Sequence, residues 1–114
     1  MNNVEDILNR HLLNIIQSNN ITVVYDNVHS DEAFYDANTK TPHIPSQVNN
    51  MDAYFDSLHE LGHAVLGHGV PLNWDEEARM EKEAWEFVKT HSIVPVSTEK
   101  INIWEKQRIK GSNE

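Results

Sequence analysis

At 114 residues and 39% hydrophobic content, the chain is expected to be one small domain spanning 1–114, with a modest core. It has no cysteine, which excludes disulfides and thiolate metal sites, and its net charge of -9 argues against direct nucleic-acid binding, Lys106, Arg108 and Lys110 forming only a short basic stretch. No apolar run approaches about 18 residues and no segment reads as a signal peptide, so no membrane span is expected and cytoplasmic residence is the default expectation.

Val4, Ile7, Leu8, His11, Leu12, Ile15 and Ile16 recur at helical spacing and predict an amphipathic N-terminal helix, with His11 at its surface or edge. Residues 21–25 are β-branched and short, as in a strand. Residues 33–35 and 42–44 flank the turn-like Asp36-Ala37-Asn38-Thr39-Lys40 and predict a hairpin; Pro42 and Pro45 are expected to limit its second strand to a sheet edge. A helix follows, with Asn50 or Asp52 as N-cap and Met51, Phe55, Leu58, Gly62, Val65 and Leu66 as its apolar sector. Gly67 and Gly69 stop it, and Pro71 opposes continuation. Residues 74–88 predict another helix, and Ser97 is expected to cap a last one carrying Ile101, Ile103 and Trp104. The predicted order is α-β-β-β-α-α-α, with no repeats or second domain.

The motif that carries chemistry is His59-Glu60-Leu61-Gly62-His63, an H-E-x-x-H pattern on a helix. Histidines four apart share a helix face, so both imidazoles can reach one metal ion. Glu60 points about 100° round the helix from His59, towards a water in an open coordination position. It is therefore expected to be the catalytic base of a zinc-dependent hydrolase, with one Zn2+ per chain. Both histidines lie at the edge of the apolar sector, where they can face a cleft.

A third ligand is needed. On the following helix, Trp74, Ala78, Ala84, Trp85 and Val88 fall within about 60° of Glu81 at 100° per residue. A carboxylate in a buried stripe requires a cation or hydrogen bonds, so Glu81 is the preferred third ligand. Glu77 is the weaker candidate, because the helix dipole alone explains a carboxylate near the helix start. Glu76, Glu83 and Glu86 lie on the charged side as solvated face. His68 misses the offset of the longer H-E-x-x-H-x-x-G-x-x-H pattern, and is expected to act as a cation at a helix C-terminus.

His59-Glu60-Leu61-Gly62-His63 with Leu66 and His68, then Glu81-Lys82-Glu83-Ala84 with Phe87 and Pro95, resembles the ImmA/IrrE family of metallopeptidases over roughly residues 20 to 95. The chain departs from the family at Trp85, where Asn is usual, and lacks the small residues that follow Phe87's counterpart. The resemblance implies a small zincin-like α+β domain: N-terminal helix, short three-stranded sheet, metal-binding helix, glutamate-bearing helix and C-terminal helix. It implies Glu81 as third ligand, and a helix-turn-helix repressor of a phage or mobile element as the protein substrate. By analogy with zincins, His43 and Ile44 are expected near an edge strand to which a peptide could add. Tyr35, Tyr54, His43 and His91 are candidates for an additional oxyanion stabiliser. The alternatives are a zincin-fold protein that regulates a partner by binding without cutting, and an interaction domain with no metal.

Overall fold

The computed structural model describes residues 4–25 and 33–96; the helix expected after Ser97 lies outside them. Helix α1 (Val4–Ser18) turns a stripe of Leu8, Leu12 and Ile15 inward, with Ile16 packed against the same core. This is the narrow face that its sequence period demands. Asn9 ties α1 to the segment leading into the next helix: its side chain accepts from the Val48 N–H at 2.9 Å and donates to the Val48 carbonyl at 3.2 Å.

Three short strands follow: β1 (Val24–Tyr25), β2 (Phe34–Asp36) and β3 (Thr41–Ile44). The expected hairpin forms, with Phe34 opposite His43, Tyr35 opposite Pro42 and Asp36 opposite Thr41. Its turn is held by the Asp36 carboxylate, which accepts from the Asn38 N–H at 3.0 Å. The sheet order is β1-β3-β2, so the expectation that Pro42 and Pro45 hold the second hairpin strand at an edge is wrong. β3 is central, pairing in parallel with β1 and antiparallel with β2. Proline is tolerated there because the β1 pairing involves His43 and Ile44 alone, leaving Pro42 opposite a residue of β2 only. Pro42 and Ile44 point into the core, while β2 and β1 form the edges.

Helix α2 (Met51–Val65) starts at Asn50, whose side chain accepts from the Ala53 N–H at 2.7 Å. It packs against α1, β2, β3 and the last described helix, α3 (Trp74–His91). It is consequently buried almost all round between Ala53 and His63, rather than along one sector. Met51 and Leu66, expected in that sector, are exposed at its two ends, and Trp74 is likewise exposed at the start of α3. Helix α3 is capped by Asn73, whose side chain accepts from the Glu76 N–H at 2.9 Å, and it buries Glu81, Ala84, Trp85, Phe87 and Val88. The molecule is thus a small α+β domain of three helices and a three-stranded mixed sheet among the described residues. None of these helices is long and apolar enough to cross a membrane.

Gly62 sets how closely α2 and α3 approach. A β-carbon there would stand 3.0–3.1 Å from three side-chain atoms of Phe87. Overpacking of that kind costs roughly 1–3 kcal/mol, against roughly 1 kcal/mol that alanine gains over glycine in a helix. Gly62→Ala is therefore expected to melt several degrees below wild type. A melt at or above the wild-type temperature would show that α3 retreats without cost.

Candidate metal centre

Four side chains from two helices converge at the α2–α3 contact. His59, Glu60 and His63 come from α2 and Glu81 from α3, and all four are more than nine-tenths buried. The four-residue spacing puts His59 and His63 one above the other. Glu81 belongs to the inward stripe Glu81, Ala84, Trp85, Val88, whose apolar members fix the rotation of α3 and aim the carboxylate at the histidines. The Glu81 oxygens lie 3.0 Å from His59 Nε2 and 3.2 Å from His63 Nε2. Despite the short distance, His59 Nε2 makes no well-directed hydrogen bond among the described residues.

His59, Glu60 and His63 could hold a metal ion, since one ligand atom from each lies within 4.8 Å of the others. Glu60 and Glu81 approach the histidines differently. Glu60 Oε2 is 3.5 Å from His59 Nδ1, whereas Glu81 meets the Nε2 atoms of both rings. Glu60 Oε1 is buried with no hydrogen-bond partner among the described residues. Burial alone would favour neutral His59, but the Glu60 and Glu81 carboxylates outweigh it and push the imidazole pKa up to about 9.

Aromatic rings fix both histidines. His59 stacks on Trp85 at 4.1 Å and 9°, and His63 stacks on Tyr35 of β2 at 5.1 Å and 20°. Trp85 is thus part of the site, which its position one turn after Glu81 on the same stripe signals. A cavity of about 160 Å³ opens beside the cluster, its walls including Tyr35, His63, His68, Pro71, Met80 and Glu81; Glu77 also lines it.

Of the four candidates for an oxyanion donor, Tyr35 stacks on His63, and its hydroxyl donates to the His68 carbonyl at 2.6 Å. Burial, with Asp36 nearby, pushes its pKa up. The Tyr54 hydroxyl is engaged with His11 Nδ1 at 2.7 Å and accepts from the Ile93 N–H at 3.2 Å. His43 stacks on Phe34, and His91 on Phe87.

Two expectations fail. His68 lies just past the end of α2 but does not serve there as a cation. It is buried, its Nδ1 is 2.8 Å from His63 Nδ1, and its Nε2 is 2.8 Å from Glu83 Oε1. Burial lowers its pKa, with His63 adding to the effect and Glu83 opposing it. Nor is Glu83 simply solvated helix face, since it joins His68 to Arg79, whose guanidinium donates to Glu83 Oε2 at 2.9 Å. The signal for His68 was Gly67, which turns the chain back over the helix end.

Comparison with protein-family models, with curated proteins and with solved structures gives no match.

The raised pKa of His59 has a definite sign for stability. In chelator-treated protein the folded state holds a proton that the unfolded chain gives up near 6.5. Its contribution is complete below about pH 6.5 and is lost as pH rises through about 9, an effect of at most roughly 3 kcal/mol. The metal-free melting temperature is expected to fall between pH 6.5 and 9. A rise over that window in calorimetry would contradict the site's charge balance.

Proposed function

We propose that this chain is a zinc-dependent endopeptidase of zincin-like design, with His59, His63 and Glu81 as ligands and Glu60 as base. The observation that carries the reading is the convergence of two histidine Nε2 atoms on one carboxylate at 3.0 and 3.2 Å inside a closed interface. Separations of this size suit donors that share one ion, and His59, His63 and Glu81 would hold a zinc there. Bound there, zinc supplies a Lewis acid at neutral pH.

The protein's own groups do the rest. Glu60 Oε1, buried and without a hydrogen-bond partner among the described residues, takes the proton of the water that attacks the peptide carbonyl, and returns it to the amine as the C–N bond breaks. Trp85 and Tyr35 hold the two imidazoles in their planes. β2 is the edge strand whose Tyr35 faces His63, so an extended substrate is best received along Phe34–Asp36. That replaces His43 and Ile44, which sit on the central strand.

The resemblance of His59–His63 and Glu81–Ala84 to the ImmA/IrrE metallopeptidases supports a helix-turn-helix repressor as substrate, and the charge of -9 would steer the chain towards a basic partner. Co-expression with a repressor encoded beside this chain tests the reading. One discrete cut is expected. Intact repressor recovered in a stable complex with the wild-type protein would instead make it a regulator that binds without cutting.

A further inference from the structure

We infer that His68 is a positioning residue that fixes the tautomer of His63, so that His63 Nε2 presents a bare lone pair to the metal. The inference rests on the reading of His63 as a ligand. It begins, however, at the far end of the chain of contacts, at Glu83.

The backbone brings His68 into place. The Gly67 N–H bonds the Ala64 carbonyl at 3.1 Å, and the His68 N–H bonds the His63 carbonyl at 3.0 Å. That pair of bonds is a Schellman ending, and it needs the left-handed φ of +70° that Gly67 supplies. His68 is thereby folded back over the last turn of α2, and its carbonyl is held by the Tyr35 hydroxyl at 2.6 Å. A side chain at 67 would meet no neighbour but would hold that φ only at a cost in backbone strain.

The side chains then form one directed series. A carboxylate accepts and does not donate, so at the 2.8 Å contact with Glu83 Oε1 the hydrogen belongs to His68 Nε2. In the neutral ring this leaves His68 Nδ1 as an acceptor. The 2.8 Å contact between the two Nδ1 atoms therefore requires the hydrogen on His63 Nδ1. His63 Nε2 stands in hydrogen-bond contact with Glu81 Oε1 at 3.2 Å, alongside His59 Nε2; with the hydrogen held on Nδ1, the Nε2 lone pair is the one a cation bound there would meet in place of that contact. Without a cation Glu81 competes for a hydrogen on Nε2, and metal binding at that atom leaves Nδ1, facing His68, as the protonated nitrogen. Arg79, donating to the other Glu83 oxygen at 2.9 Å, completes the series at the surface. The opposite polarity would set the Glu83 oxygen against a bare His68 Nε2. Partners of this kind typically change metal affinity by roughly 10–100-fold.

The test compares two substitutions and one spectrum. His68→Asn keeps an acceptor, its Oδ1 standing close to where Nδ1 was; His68→Leu keeps bulk and removes the acceptor. Zinc affinity, measured by competition with a chromophoric chelator, is expected to fall roughly 10–100-fold in His68→Leu and to stay near wild type in His68→Asn. Nitrogen-15 imidazole spectra of the zinc-loaded wild-type protein are expected to show hydrogen on His63 Nδ1 and on His68 Nε2. Equal affinity in His68→Leu and wild type would overturn the inference while leaving the metal site standing. An equal loss in both variants would also overturn it, since it would assign His68 a packing role only. Wild-type protein that takes up no zinc would defeat the metal reading itself. In zinc-loaded protein, hydrogen on His68 Nδ1 in place of Nε2 would contradict the polarity of the series.

Discussion

Chelation of the zinc-loaded protein is expected to lower its melting temperature by about 15 °C when free zinc had stood about 1,000-fold above its dissociation constant. The size follows from mass action. A ligand that binds only the folded state at that excess contributes about 4 kcal/mol, and each kcal/mol moves the melting point of a domain this small by about 4 °C or more. The structural reason is local. Glu81 is 7% exposed in an otherwise apolar stripe, with its oxygens against two imidazole nitrogens. Metal removal leaves these groups to share protons in place of a divalent ion, and part of the loss is offset because His59 binds a proton tightly there. Calorimetry with and without chelator reads the effect. Unchanged melting in protein shown to be stripped of zinc would mean that the buried carboxylate has adequate partners without the ion.

Glu60→Gln is expected to lower cleavage roughly 10²–10⁴-fold, the range of a positioned general base, while leaving zinc content at its wild-type value. Glutamine has the same shape and fits a pocket in which Glu60 is 2% exposed, but its amide cannot carry the proton from water to the leaving amine. The substitution separates base from ligand. If Glu60 instead filled the third metal position beside His59 and His63, zinc would be lost together with activity. Wild-type turnover in Glu60→Gln would remove it from the chemistry altogether.

The parts of this fold legible in the sequence are those set by short-range physics. The Asn50 cap, the end of α2 at Gly67 and the 36–40 turn are local devices, and each is where residue type places it. The approach of Glu81 to His59 and His63 could also be read, because a carboxylate in the middle of an apolar helical stripe must meet something polar. The central position of β3 could not. Strand order depends on which distant segment pairs with β3, and two residues of β1 carry no signal strong enough to name their partner. The all-round burial of α2 was hidden for a similar reason: Tyr54, Ser57 and Leu61 lie outside its apolar sector and are covered only once α1, the sheet and α3 pack on different sides. His68 and Glu83 were misjudged because spacing along one helix says nothing about a residue that the chain folds back over its end. Gly67 carries that information, and it becomes readable only when the αL ending is considered together with the side chain that follows it.

His59, His63 and Glu81 are proposed to form one metal centre. Elemental analysis of purified wild-type protein beside His59→Ala, His63→Ala and Glu81→Ala tests it most directly. About one zinc per chain is expected in the wild type, with loss of that zinc in each of the three variants. Full zinc in Glu81→Ala would remove that carboxylate from the centre, and zinc retained in both histidine variants would contradict the site as a whole.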